Sequence, residues 1–491
     1  MFKSFLKNNW LALLLTLIMA AFVITVCSQS SPIYPLNTWN DANCYMFEAK
    51  SVANGATPWV DIGMQKGPTV LFIWLLCVPL GWTGVWILEV LAAWMFLFIA
   101  YKVSCIFMNS SIAYLSTAFT ALMVYTSKSF AQGGSVEEFF LPFIALCFWF
   151  VLKNVSEKTR IKKYRTAIIG AVAGIIFMGK YSLCVLFAVL FIAETIFYLR
   201  KFSIKDVLLD VWPAVVGFVI AAGLPWVYLA YTGSVSAFVS IYFGSNLTTY
   251  VAGSTHFAAV LSFLMFSIPL ILTCLISIPV GRASGMPKIN RLCLYLAFLS
   301  FVVCLLIPGR PWPYYFLPAY VFAPYFIATV VGALTKDVSF KKKSIKIVGA
   351  ILACLICASC AAATPNKVLM FKNKEDTLIG KLSAYIKPES SVLILSDTSS
   401  GIFVETNSIP TESYLYGNTA DEKVVEKYRA LMKNREVDYI VARFASGGDD
   451  REIDGYVIKA RYVLSNVTDT DDQEYLFIVY EKIPEKENVN G

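Results

Sequence analysis

Charge is scarce in this chain, and histidine scarcer still. Only 15% of the 491 residues are charged, and His256 is the sole histidine. A soluble globule carries roughly a quarter charged residues, so the composition excludes one. One histidine excludes a histidine-cluster metal centre, and it leaves no histidine-based triad elsewhere in the chain. Most of the 12 cysteines lie in apolar runs and none follows Cys360, which excludes a disulfide-stapled C-terminal domain. The sequence has no P-loop, no dinucleotide-binding glycine fingerprint after a soluble strand, and no His-Glu-x-x-His. Nothing in it therefore points to a cytoplasmic nucleotide as the energy source.

What the chain does have is apolar length. It is 57% hydrophobic with a mean hydropathy of +0.64. Apolar runs recur every ~20–30 residues up to about Cys360, each long enough to span or nearly span a bilayer. The composition then becomes polar. Before residue 363 there are 25 bases and 11 acids; after it there are 16 bases and 22 acids. The net charge of +8 is thus a membrane-topology signal and makes no case for nucleic acid.

The pattern predicts a polytopic α-helical membrane protein of about 11 spans. They fall near 10–28, 83–107, 111–127, 138–152, 166–180, 182–199, 208–227, 257–280, 292–308, 316–335 and 347–363. Basic clusters at 3–7, 153–165, 200–205, 282–291 and 336–346 all lie on one side if the N-terminus is cytoplasmic. The run 68–80 is short and ends at Pro79-Leu80-Gly81. If it crossed, every later cluster would change sides, so it is expected as a helix at the outer interface. The predicted domains are then 1–363 in the membrane and 364–491 outside it. In the latter, helices at 374–386 and 421–433 alternate with strands at 391–396, 438–443, 456–464 and 475–481, an α/β layer.

Among the 11 acids of the membrane part, five lie on the predicted outer side: Asp41, Glu48, Asp61, Glu137 and Glu138. Asp41, between Asn40 and Asn43, suits either a general base for a hydroxyl or the N-cap of a helix over 42–53. Glu48, two helical turns on, shares its face. Lys66-Gly67-Pro68 leads into the apolar run with proline at a first-turn position. Lys66 and the amides beyond it suit a phosphate, and snorkelling accounts for the lysine equally well. Glu137 and Glu138 open the fourth span, where a plain acidic cap is the simpler role. Lys180 lies between spans five and six as a second candidate phosphate ligand. Arg310, with Trp312, Tyr314 and Tyr315 beside it, suits phosphate next to a sugar or lipid, and such aromatics also form interfacial belts. Glu89 is within a span and costly unless paired.

These segments resemble a known family. An acidic first outer loop, a Lys-Gly-Pro or Lys-Pro-Pro turn into an interfacial helix, and an acidic second outer loop recur in polyprenyl-phosphate-sugar-dependent glycosyltransferases of the GT-C fold. The chain resembles the bacterial branch related to protein O-mannosyltransferases and the lipid A aminoarabinose transferase. Asp41 matches the catalytic aspartate of the first outer loop. Gly55-x-x-Pro58-Trp59-x-Asp61 is similar to the family's Gly…Pro-Tyr…Asp stretch, and Lys66-Gly67-Pro68 to the turn whose lysine meets the lipid phosphate. Glu137-Glu138 falls at the second acidic site. Asn246 and Tyr250, and the segment from Gly309-Arg310 to Tyr315, resemble later blocks, with Tyr314-Tyr315 where the family often has His-Tyr. The resemblance spans most of 1–335.

The resemblance implies a multi-pass enzyme of the bacterial plasma (inner) membrane. It would move a sugar from a polyprenyl-phosphate donor to an extracytoplasmic acceptor: an envelope glycan, a lipid or a protein. No cofactor is firmly implied. Asp41-Ala42-Asn43 stands where metal-dependent relatives have Asp-x-Asp, and a divalent metal remains compatible. The rival functions are a lipid or sugar transporter or flippase, for which inverted repeats are not evident, and an envelope polymer ligase or polymerase.

Overall fold

The structure, a computed structural model, describes residues 2–157, 162–199, 203–248, 255–284, 286–335, 342–395, 400–410, 422–445, 452–465 and 474–484. The chain forms two compact units. One comprises Met1–Tyr34 and Lys66–Phe371, the other Pro35–Gln65 and Lys372–Gly491. The polar loop that follows the first apolar helix therefore folds with the C-terminal region rather than with the helices on either side of it.

The first unit is helical. By length and composition, six stretches among the described residues are able to cross a bilayer: Lys7–Cys27, Trp82–Ser104, Lys163–Ile192, Ile204–Tyr231, Lys288–Leu306 and Pro313–Thr335. His256–Phe266 and Ile268–Val280 make a seventh if this pair, bent by 71° at Ser267, counts as one span. Other apolar helices are shorter. Ser110–Tyr125 has 16 residues, or about 24 Å at 1.5 Å per residue against a hydrocarbon core of ~30 Å.

Helix α1 (Phe2–Cys27) is followed, in the second unit, by α2 (Asn40–Ala53). Helix α3 (Pro68–Cys77) begins with Pro68 in its first turn, where a missing N–H costs nothing. It ends in a 3-10 turn over Val78–Leu80. The combined segment is only about 20 Å long, short for a span, as the sequence predicts. Helices α4 (Trp82–Ser104), α5 (Ser110–Tyr125), α6 (Val136–Glu157) and α7 (Lys163–Lys180) follow. A 3-10 turn over Tyr181–Cys184 leads into α8 (Val185–Leu199), and then comes α9 (Ile204–Tyr231).

Helices α7 and α9 touch backbone to backbone. A Cβ on Gly170 would collide with the Ala214 carbonyl, and one on Gly217 with the Ala167 carbonyl. Small residues let two apolar helices approach this closely where no hydrophobic drive holds them together in lipid. Helix α7 is thus packed closely on α9, and its last residue is Lys180.

The second unit carries a five-stranded sheet in the order β2-β1-β3-β5-β4. Strands β1 (Ser391–Leu395), β2 (Ile409–Pro410) and β3 (Tyr439–Ala445) run parallel, while β4 (Tyr456–Ser465) and β5 (Glu474–Lys482) pair antiparallel. Val437, Ile440, Ile478 and Tyr480 sit in its core with no exposure. The four strands expected from the sequence are present. The helix expected over 374–386 is reduced to a 3-10 turn at Lys374–Asp376 and a helix over Leu378–Ser383. A short helix over Gly401–Thr406 and strand β2 have no clear sequence signal.

Candidate active site

In the helical unit the basic and aromatic candidates converge. Lys180 Nζ forms an ion pair with Glu137 Oε1. The same ammonium stands 3.6 Å from the centroid of the Tyr315 ring and 5.7 Å from that of Tyr314. An ammonium over an aromatic face is attracted by the ring quadrupole. The aromatic run continues outward. Tyr314 and Tyr315 meet edge to face at 4.9 Å, Trp312 stacks with Tyr314 at 6.2 Å, and the Arg310 guanidinium lies 5.4 Å from the Trp312 ring.

The Lys66-Gly67-Pro68 turn docks against the same helix end. Gly67 N–H donates to the Gly179 carbonyl at 3.0 Å, and Thr69 Oγ1 donates to the Ile175 carbonyl at 2.9 Å. A Cβ at Gly67 would collide with the Met178 carbonyl, so only glycine allows this approach. Lys66 is thereby fixed, through its own backbone, one residue from a contact with the neighbour of Lys180. Two candidate phosphate ligands 114 positions apart in sequence share one end of α7.

A residue that sequence reasoning does not single out holds this end together. Tyr242, in a π-helical segment over Val239–Ser245, donates to the Phe177 carbonyl at 2.7 Å and accepts from the Tyr181 N–H at 2.9 Å. It is 1% exposed. It thus satisfies a carbonyl and an amide that the break between α7 and the following 3-10 turn leaves without helical partners. Asn246 lies one turn further on and donates to the Tyr242 carbonyl at 2.9 Å. Tyr250 lies outside the described residues.

Glu137 and Glu138, adjacent in sequence, have opposite surroundings. Glu137 meets Lys180. Glu138 turns inward at the start of α6: its Oε2 accepts from Gly134 N–H at 2.9 Å, while its own N–H donates to Ser135 Oγ at 3.0 Å. This is a reciprocal helix cap, the simpler role open to these acids. Close by, Glu89 of α4 is fully buried and accepts from Ser28 Oγ at 2.7 Å and Ser30 Oγ at 3.4 Å. Those hydroxyls are the partners a carboxyl within a span requires. Gly133, with φ +87°, lies against them, and a Cβ there would strike both the Ser28 side chain and the Glu89 carboxylate.

The remaining acids belong to the second unit. Asp41 is half-buried in the first turn of α2. The cap position falls on Trp39, and no side chain caps the helix, so the N-cap role open to Asp41 is not the one adopted. A carboxylate in the first turn still faces the favourable end of the helix dipole. Glu48 is 5% exposed on the same helix. Asp61 is exposed and closes a turn, its Oδ2 accepting from Thr57 N–H at 2.6 Å. That hydrogen bond holds its carboxyl below the usual carboxylate range. His256 is exposed, with Nδ1 3.4 Å from the Leu306 carbonyl. Among the described residues no three His, Cys, Asp or Glu side chains converge as a metal-binding group.

The architecture is that of a multi-pass helical membrane protein with a small α/β unit. Solved structures with this fold are ArnT from Cupriavidus metallidurans in the apo state, at TM-score 0.62 and 10% identity, covering 96% of this chain and 98% of that one, and the same protein bound to undecaprenyl phosphate, at TM-score 0.61, 12% identity and the same coverage. These neighbours share the fold that the sequence resemblance implies. At 10–12% identity the likeness establishes a shared fold. No family model matches the chain, and no curated protein sequence does.

Proposed function

We propose that this chain is a membrane glycosyltransferase that moves a sugar from a polyprenyl-phosphate donor to an extracytoplasmic acceptor. One observation carries the reading most. In a fold shared with a protein solved with undecaprenyl phosphate, Lys180 is held over Tyr315 against Glu137, at the helix end where the Lys66 turn docks. Cations anchored by an acid and an aromatic ring suit a phosphate leaving group, and a tyrosine face suits a sugar.

The acceptor hydroxyl oxygen attacks the anomeric carbon as the bond from that carbon to the phosphate oxygen breaks. Asp41 takes the hydroxyl proton as general base. The polyprenyl phosphate leaves with the bond's electron pair, and its added negative charge is met by Lys66, Lys180 and Arg310. A single displacement inverts the anomeric centre. Glu137 orients Lys180 until the phosphate arrives. Tyr314, Tyr315, Asn246 and Tyr250 are proposed to line the donor site, and Glu48 and Asp61 to support the acid-bearing loop. In this reading about 11 segments span the membrane, the N-terminus is cytoplasmic, and residues 364–491 lie outside with the site. The sided distribution of the basic clusters supports it.

The test is turnover of a polyprenyl-phosphate sugar by purified protein in lipid. Asp41→Asn keeps the shape of the side chain and removes the base, so kcat is expected to fall by ~10²–10⁴-fold. Wild-type turnover by a folded Asp41→Asn variant would remove Asp41 as the base.

A further inference from the structure

Among the described residues, the Asp41-bearing helix packs against a short stretch of the α/β unit. Eight consecutive residues of α2, Ala42 to Ala49, are buried, which a solvent-facing loop helix does not require. Four contacts run along α2 in register with residues 400–404. Ser400 N–H donates to Asn40 Oδ1 at 3.1 Å. Cys44 Sγ lies 3.3 Å from Ser400 Oγ. Phe47 stacks on Phe403 with centroids 4.6 Å apart. Lys50 Nζ donates to the Val404 carbonyl at 3.2 Å.

Gly401 is the tightest point. A Cβ there would come within 2.8 Å of Asn43 Oδ1 and 2.6 Å of Ile379 Cδ1. Asn43 in turn ties the entry to α2, donating to the Asn37 carbonyl at 2.8 Å and the Trp39 carbonyl at 2.9 Å. Asn40, Asn43 and Cys44 thus fix the first turn on both sides of Asp41.

We propose that the α/β domain takes part in the transfer reaction by holding helix α2, with Ser400 and Gly401 as positioning residues for Asp41. The inference rests on the reading of Asp41 as the base. A general base is effective only when its carboxylate lies within hydrogen-bond reach of the acceptor hydroxyl. A displacement of about 1 Å, transmitted from residues remote from the chemistry, is enough to cost ~10²-fold.

The experiment uses the full-length protein in lipid. Gly401→Val forces its new side chain into Asn43 and is expected to lower kcat by ~10-fold or more while donor KM stays within ~2-fold. Ser400→Cys places a thiol beside Cys44, which is the only cysteine in residues 35–65 and 372–491. Mild oxidation is expected to join Cys44 to the new thiol, seen as a linked peptide by mass spectrometry, and to leave turnover within ~2-fold. Cys44→Ser in the same background removes the link. A folded Gly401→Val protein with normal kcat, no link between positions 44 and 400, or a linked protein that turns over only after reduction would each overturn the proposal. If Gly401→Val fails to fold, the disulfide arm decides. Asp41→Asn separates the two readings. If it is active, the base assignment fails; if it is inactive while Gly401→Val is normal, only the positioning role fails.

Discussion

Around Lys180, charged groups are fixed by helices that meet backbone to backbone and by an ion pair with low exposure. Around Asp41, the helix is fixed by contacts with residues 400–404 of an α/β layer. The helical unit offers cations set in apolar surroundings, where desolvation makes an opposite charge valuable. The α/β unit offers a half-buried acid on a helix with ordinary globular packing. The lesson concerns placement. In the proposed reading, the cation for the phosphate is built between membrane helices, where a buried acid and aromatic rings hold it, and the base is carried by a unit with a core of its own.

Several changes sharpen this contrast, and the strongest act on the cations. Lys180→Ala removes the partner of Glu137, whose side chain is 1% exposed. Breaking one side of a buried pair costs ~3–5 kcal/mol, and we expect a fall in melting temperature together with a large rise in donor KM. Lys180→Ala with Glu137→Gln recovers the melting temperature but not donor binding; recovery of both would separate Lys180 from the phosphate. Gly67→Ala drives a methyl into the Met178 carbonyl. An overpacked site of this kind costs ~1–3 kcal/mol, and donor KM should rise because the Lys66 turn is displaced from α7. Tyr242→Phe deletes one donated and one accepted hydrogen bond. With about 1 kcal/mol for each bond, thermal unfolding should register the loss, and donor KM should move more than kcat.

The smallest expected effect belongs to the α/β unit. Lys459, with Tyr439, holds the Glu481 carboxyl below its usual range. A depressed carboxylate pKa adds stability above the unfolded value of ~4.3, and this is lost as pH falls through the folded value. Lys459→Met should therefore shallow the acid side of the unfolding profile and leave neutral turnover unchanged. A change of turnover at neutral pH would tie this surface to the chemistry.

Much of this was legible in the residues, for physical reasons. Apolar runs long enough to span announce themselves, and so does a proline opening the short run at 68. The scarcity of acids made Asp41, Glu137 and Glu138 easy to find. What the sequence concealed is contact. Nothing in Glu137-Glu138 tells which carboxylate pairs with Lys180 and which caps α6, because Lys180 lies 43 positions away and the cap depends on the local path of the chain at Gly134. Tyr242 carries no signal in the sequence, since its partners are backbone groups 61 and 65 positions away. The folding of 35–65 with a domain more than 300 residues downstream leaves no local periodicity to read. Gly401 was invisible for the same reason, being needed because Asn43 and Ile379 arrive there.

The most direct test is a steady-state comparison of Asp41→Asn and Lys180→Ala in purified, lipid-embedded protein given a polyprenyl-phosphate sugar and an acceptor. The account predicts a split: Asp41→Asn loses kcat by ~10²-fold or more at unchanged donor KM, while Lys180→Ala raises donor KM. Wild-type protein that consumes no lipid-linked sugar, or variants that leave both constants unchanged, would contradict it.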